Sequence, residues 1–400
     1  MEVARLAQLR LRRFKAFKSQ RLAVAPLTML IGRNGGGKSN ALDALSLLAL
    51  LASDRTLADL DRDDPKVSGL RGGLGGCAPF GHGTIEIGAT IDLDDEMAAV
   101  IDIEIDPERF EVVRERLLLR GNRDLTLIEA ARNEPGGGLV TANTYSGGPS
   151  RTFSMPANRM VTLQTAARIP GDIDSQGLVV DVARRVIGVL SGILVLDPTP
   201  SSMRHYVRVG SPADRMGSSL SSQLHALQSD SRIWARLLDL VRGLVGDSAT
   251  DLTFAEGRFP SARSPVDVMV ALREVGSEGE FLTPASAMSD GTLRYLTILS
   301  TLLSIRRAEA RAPGAAPRTV VVEEIENGLF PDQASRILSL LREEAGNQSV
   351  TLVTTTHSPA LLDAVRPEDH EGIVIVHRDE DALSRLIPLI EHEKIGRAHV

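Results

Sequence analysis

Along the chain the spacing of apolar and polar positions changes several times, and each change marks an element. Leu9 and Leu11 alternate with Arg10 and Arg12, the period-two pattern of a half-buried strand. A short apolar run, Leu27–Ile31, ends at a glycine-rich turn; Ala41–Leu51 follows without a turn former and predicts a buried helix. From Asp54 to Gly83 the chain is polar and glycine-rich, densest at Arg71-Gly-Gly-Leu-Gly-Gly76, and reads as a surface loop. Alternation returns in Thr84–Ile91, Ile101–Ile105 and Arg109–Leu119. Short alternating strands between turns predict an antiparallel β-subdomain.

The middle of the chain, about Gly171 to Gly246, reads as mostly helical. Ile233, Trp234, Leu237, Leu238, Val241, Leu244 and Val245 recur at helical spacing on one face, so Trp234 is expected in the core rather than stacked on a base. After Thr283 helices and strands alternate: helix Thr292–Ala308, strand Thr319–Glu323, helix Pro331–Glu344, strand Ser349–Thr355, helix Pro359–Ala364 and strand Gly372–His377. That order predicts an α/β fold with a largely parallel sheet. Neither an internal repeat nor a heptad run long enough for an extended coiled coil is present.

Composition narrows the class. With 42% apolar and 24% charged residues in 400, the chain can bury a large core and is not a disordered polymer. A net charge of −7 excludes a chain-wide basic footprint for nucleic acid, though not a local patch. The single cysteine, Cys77, excludes a disulfide framework and a thiolate zinc site, and fits a reducing cytoplasm. The longest apolar run, Ala41–Ala52, is too short to span a bilayer and contains Asp43, and the N-terminus has no apolar signal segment. The expected setting is cytoplasmic, without a membrane partner. The last six residues, Ile395–Val400, match the translation of a common sequencing-adapter tail, so the natural chain is expected to depart from this one after Lys394.

Three segments carry chemistry. Gly32-Arg-Asn-Gly-Gly-Gly-Lys-Ser39 matches G-x-x-x-x-G-K-[ST] in full, after an apolar strand and before a helix. Backbone N–H groups of such a loop wrap phosphates, and the helix N-terminus adds a favourable dipole. Gly32, Asn34, Gly35, Gly36, Gly37, Lys38, Ser39 and Asn40 are the expected ATP contacts, with Lys38 on the β- and γ-phosphates and Ser39 on Mg²⁺. Thr319–Glu326 is an apolar strand running into carboxylates. Glu323 is expected in the Mg²⁺ shell, and Glu324 is expected to orient and deprotonate the attacking water. His357 follows another apolar strand and can reach a γ-phosphate or position that water; the alternative is a structural histidine.

Together with Ser289-Asp-Gly-Thr292, these segments in this order resemble the ABC-type ATPase heads of the SMC/RecF-like branch, especially small bacterial predicted ATPases linked to anti-phage defence. Ala287–Arg294 resembles the signature motif, with Ser-Asp-Gly for the usual Ser-Gly-Gly. Glu324–Pro331 resembles the Walker B end and D-loop, and Thr356–Pro359 the switch histidine. Leu11–Lys18 is similar to the opening strand of such heads. The resemblance covers about Glu2–Thr90 and Thr283–Val376. Two features depart from it: Glu323 stands where aspartate is usual, and no Q-loop glutamine can be assigned, Gln164 and Gln176 being candidates by type only.

The resemblance implies a P-loop NTPase of ABC/SMC-head type, a mixed sheet flanked by helices with an antiparallel β-subdomain and a helical insertion. It implies an N-terminal lobe at 1–95, a β/helical insertion (lid or arm) at 96–282 and a C-terminal lobe at 283–394, followed by the adapter-like tail at 395–400 that is expected to be non-native. It further implies an ATPase that forms an isologous homodimer through ATP, each Ser289, Asp290 and Gly291 completing the opposing site. The output would be a change of shape passed to DNA or to an effector such as a nuclease. A RecF-like DNA-binding repair ATPase and the ATPase part of a truncated ATPase-nuclease are the alternatives. A transporter subunit fits less well, since those usually carry a strict Ser-Gly-Gly-Gln signature and lack such an insertion. Arg184-Arg185 and Arg204-His205 either contact phosphate or form solvated faces.

Overall fold

The computed structural model describes residues 4–61, 69–79, 83–145, 150–168, 176–246, 248–257, 267–312, 318–328, 331–346 and 350–391. Among the described residues the strands form three sheets. The largest is antiparallel throughout. It contains β1 (Arg5–Phe14), β2 (Phe17–Ala23), β4 (Ile85–Asp92), β5 (Ala98–Asp106), β6 (Glu111–Arg120), β7 (Leu125–Arg132), β8 (Leu139–Thr144) and β9 (Arg151–Pro156), in the order β2-β1-β4-β5-β6-β7-β8-β9. β4 pairs with β5 along its whole length, so this sheet runs through position 95 without a break. Arg10 is buried within it, held by Asp102 at 2.9 Å, Thr90 at 2.7 Å and the carbonyls of Ala89 and Ile101. Gly88 makes room for that ion pair: a Cβ there would lie 2.3 Å from Asp102 Oδ1.

The second sheet carries the chemistry. It contains β3 (Leu27–Ile31), β10 (Ile193–Leu196), β15 (Arg318–Val322), β16 (Val350–Thr356), β17 (Ile373–Arg378) and β18 (Ser384–Pro388), in the order β10-β15-β16-β3-β17-β18. All neighbours are parallel except β17 with β18. Alternate side chains leave its two faces, and each face is buried. Val321, Val353, Val374 and Val376 join a core with α1 (Lys38–Leu51), α3 (Gly177–Ser191) and the first sheet. Val320, Val322, Leu352, Met29 and Ile373 join the opposite core with α5 (Leu220–Leu227), α6 (Ser231–Val245), α7 (Asp290–Arg311) and α8 (Pro331–Gly346). Burial on both faces explains why these strands are continuous apolar runs rather than alternating ones.

A third, smaller sheet holds β11 (Val207–Arg208), β12 (Ala249–Gly257), β13 (Asp267–Gly276) and β14 (Gly279–Pro284) and leads directly into α7. Three short helices, α2 (Val161–Arg168), α4 (Pro200–Met203) and α9 (Pro359–Asp363), complete the described helical elements. Trp234 on α6 packs on the second core, tilted 41° against Phe254 at 6.2 Å, as its stripe predicts. No described helix is long and apolar enough to cross a membrane.

One expectation is corrected. The span from Asp54 to Gly83 is not a surface loop: in its described parts Leu57, Leu60, Leu70, Leu74 and Cys77 are buried against the first core. The Cys77 thiol is sealed there, and burial pushes it up to about 12. The middle of the chain is mostly helical, as expected, and β10 inserts between its helices and extends the parallel sheet. The antiparallel strands also continue past Leu119, through β7, β8 and β9.

Buried ion pairs make stability depend on acid. Burial pushes the carboxyls of Asp106 and Asp369 up, but the hydrogen bonds and charges of Arg132 with Arg109, and of Arg342 with Arg366, together outweigh it and hold both below the ordinary carboxylate range. A group depressed in the folded state contributes stability above its unfolded pKa, and that contribution is lost as pH falls toward the folded pKa. The melting temperature is therefore expected to be flat near neutrality and to drop below about pH 4. Thermal melts from pH 7 to pH 3 would check this; Arg342→Met should flatten the acid limb as well as lower the plateau.

Candidate active site

The loop between β3 and α1 is shaped by its glycines. Gly35 and Gly37 take φ of +79° and +115°, which L side chains rarely adopt. A Cβ on Gly32 would lie 2.0 Å from the Val376 carbonyl oxygen of β17, and one on Gly37 would lie 2.3 Å from Ser384 Oγ. The phosphate loop is thus pressed against the two strands on its far side, with the α1 N-terminus beneath it. Lys38 is 6% exposed; its amine donates to the carbonyls of Gly32 at 2.5 Å and Arg33 at 3.2 Å. Burial depresses that amine below its ordinary value, against the pull of Glu324, Glu326 and Glu323.

Parallel pairing of β3, β16 and β15 brings their C-terminal ends to one edge. The Ser39 hydroxyl donates to Glu323 Oε1 at 2.5 Å. A hydroxyl beside a carboxylate suits a hard divalent cation such as Mg²⁺. Burial pushes the Glu323 carboxyl up, but hydrogen bonds from Ser39 and Arg71 outweigh it and hold it below its ordinary range. Among the described residues no group of three or more His, Cys, Asp and Glu converges to hold a metal alone. An ion at Ser39 and Glu323 would therefore complete its shell with nucleotide oxygens and water.

Asn34, Gly35, Gly37, Lys38, Ser39 and Asn40 line one cleft, whose other wall is Glu324, Thr355 and Arg378. Glu324 has φ of +47°, a left-handed conformation that costs a non-glycine residue about 1 kcal/mol or more. Its N–H donates to Thr355 Oγ1 at 2.9 Å, which holds it there. His357 Nδ1 lies 3.6 Å from Glu324 Oε1, so the histidine stands beside the carboxylate at the rim. Ser289, Asp290 and Gly291 line no part of this cleft. Ser289 instead caps α7, its Oγ accepting from Thr292 N–H at 3.1 Å. Asp290 pairs with Arg204 at 2.6 Å.

The remaining sequence candidates line no part of this cleft. Arg204 also donates to the Ser286 carbonyl and Arg185 to the Leu93 carbonyl, while Arg184 and His205 are exposed. Gln164 donates to the carbonyls of Pro156 and Arg159, and Gln176 accepts from Thr144; both are buried away from the cleft.

Residues 187–363 match a family described as "AAA domain, putative AbiEii toxin, Type IV TA system". That span holds the Ser289–Gly291 segment, the acidic strand end and His357, but not the phosphate loop. A solved SMC head bound to the C-winged helix domain of ScpA superposes with a TM-score of 0.54 at 13% identity, covering 97% of this chain and 99% of that one. The fold is that of an SMC/ABC-type P-loop ATPase head. An SMC head with a coiled coil and joint from Pyrococcus yayanosii is 12% identical with a TM-score of 0.49, covering 99% of this chain and 100% of its own. An SMC head domain from Thermotoga maritima is 14% identical with a TM-score of 0.44, covering 96% of this chain and 98% of its own. No curated protein matches the chain.

Within this fold, sequence reasoning missed a cationic partner of the site. Arg71 donates to both oxygens of Glu323 at 2.9 Å and to the Ser39 carbonyl at 2.8 Å. It is anchored by Asp43, which is 1% exposed on α1 and also accepts from Lys15 at 2.6 Å. Burial works against the Arg71 charge, but Asp43 and Glu323 outweigh it and hold the guanidinium above its ordinary value. The only sequence signal was Asp43 itself, a carboxylate in the middle of an apolar helix, which needs a buried cation.

Proposed function

We propose that this head is an ATP-hydrolysing switch whose ATP-bound form is a two-fold dimer. One observation carries the reading: the cleft has a phosphate loop on one wall and Glu324 on the other, while Ser289, Asp290 and Gly291 lie outside it. A second copy would supply those three residues across the dimer. The Lys38 amine exchanges the loop carbonyls for β- and γ-phosphate oxygens, and Ser39 with Glu323 holds Mg²⁺. The ion, when bound, neutralises charge on the phosphates. Glu324 accepts a proton from the water whose oxygen attacks the γ-phosphorus, as the bond to the β-phosphate oxygen breaks and ADP leaves. His357 orients the same water or the γ-phosphate. Ser289 Oγ and the α7 N-terminus donate to the partner's γ-phosphate, so ATP joins two heads and hydrolysis releases them.

The output goes to DNA or to an effector as a change of shape. A defence setting agrees with the toxin–antitoxin description of the family matched by residues 187–363. A protein partner agrees with the solved SMC head that carries the ScpA domain.

The test is the solution mass of Glu324→Gln by light scattering, with and without ATP and Mg²⁺. Removing the base should trap ATP with the phosphate loop intact, and the mass is expected to double only when ATP is present. An unchanged mass with ATP demonstrably bound would overturn the dimer and the trans role of Ser289–Gly291.

A further inference from the structure

The loops after β15 and β16 are joined by one side chain. Glu326 Oε1 accepts from the Thr356 hydroxyl at 2.8 Å and from the His357 N–H at 2.9 Å. Thr356 Oγ1 in turn accepts from Ser358 N–H at 3.1 Å, so a single carboxylate oxygen anchors the start of the histidine loop. Glu326 is 9% exposed, against 46% for His357 and 34% for Glu324. The His357 Nδ1 atom lies 3.6 Å from Glu326 Oε1 and 3.6 Å from Glu324 Oε1. Glu326 Oε2 is buried and has no hydrogen-bond partner among the described residues.

We infer that Glu326 is the positioning residue for His357, fixing the backbone of its loop through Oε1. The proposal rests on His357 acting at the nucleotide, as read above. The hydrogen bonds need only an acceptor at Oε1, which glutamine also provides and alanine does not. The charged groups facing His357 are Glu324 and Glu326 from the loop after β15, and Arg33 from the phosphate loop, which shares a small cleft with it. Lys38 lies behind the same carboxylates. Thr356 would thus be fixed as an oriented intermediary, and moving either loop would change the His357–Glu324 distance.

The experiment compares Glu326→Gln, Glu326→Ala and His357→Ala in the full chain. Steady-state kcat and KM for ATP are measured, with thermal melts alongside. Glu326→Gln is expected to keep kcat within about threefold of the parent, because the acceptor remains. Glu326→Ala is expected to lower kcat about tenfold or more with KM little changed, because only the positioning is lost. A kcat in Glu326→Gln as low as in Glu326→Ala, with melts like that of the parent, overturns the role of the Oε1 acceptor. Full activity in Glu326→Ala overturns the positioning role. If His357→Ala retains full kcat while Glu326→Ala loses it, the histidine's part in hydrolysis fails and Glu326 does not act through it.

Discussion

Lys38→Ala is expected to weaken ATP binding by about 100-fold or more, read by calorimetry or by displacement of a fluorescent nucleotide. The amine sits in the floor of the phosphate loop, nearly sealed from water, and already donates to two carbonyls there. Exchanging neutral carbonyls for phosphate oxygens gains charge-assisted bonds of about 1.5–3 kcal/mol each, and about 1.4 kcal/mol is a tenfold change in affinity. Because burial depresses this amine, losing it removes a group poised to gain most from an anion. Lys38→Arg is expected to fail nearly as badly, since a planar guanidinium has no room in a side-chain site that is 6% exposed. A dissociation constant within about threefold of the parent would mean that the phosphates are held elsewhere.

The second large effect is on stability and comes from Gly291. A Cβ at this position would lie 2.0 Å from the Gly328 carbonyl oxygen and 2.9 Å from its carbon. Both are backbone atoms, so no side chain can swing away. Gly328 itself has φ of +84°, so its loop cannot relax cheaply either. Gly291→Ala is expected to cost about 2–4 kcal/mol, seen as a lower urea midpoint. The displaced loop carries Glu324 and Glu326, so hydrolysis should fall even where the fold survives. Gly346→Ala is the control, because nothing lies within 4 Å of a Cβ there and the expected change is within about 0.5 kcal/mol. Equal midpoints for the two variants would refute the close backbone contact between α7 and the loop after β15.

Much of the head could be read from residue order. Alternation marked β1 and β4, and the helix–strand alternation after Thr283 marked the parallel sheet. The phosphate loop was legible because its parts are consecutive: an apolar strand, glycines and a lysine at a helix start. The acidic end of β15 and the histidine after β16 were legible for the same reason, as polar residues ending apolar runs. What escaped was short or two-faced. β10 has four residues, and the segment holding Arg71 is polar in sequence yet packs Leu70 and Leu74 inside. Glycine-rich composition suggests exposure, but here Gly73 lets the chain pass close to Asp61, whose Oδ1 would be 2.9 Å from a Cβ.

The sequence by itself determined the local chemistry: a loop whose consecutive amides suit phosphate, a hydroxyl next to its lysine, and carboxylates at a strand end. These depend on neighbours along the chain, and short-range sterics make them predictable. Only the tertiary structure decided the pairings. Arg71 meets Glu323 across 252 positions, Ser39 meets it across 284, and Glu326 meets Thr356 across 30. Those distances are set by strand order, with β16 between β15 and β3 and with β17 on the far side of β3. No local rule encodes that order. It follows from how the two faces of the sheet are buried at once, which is a property of the whole packed chain.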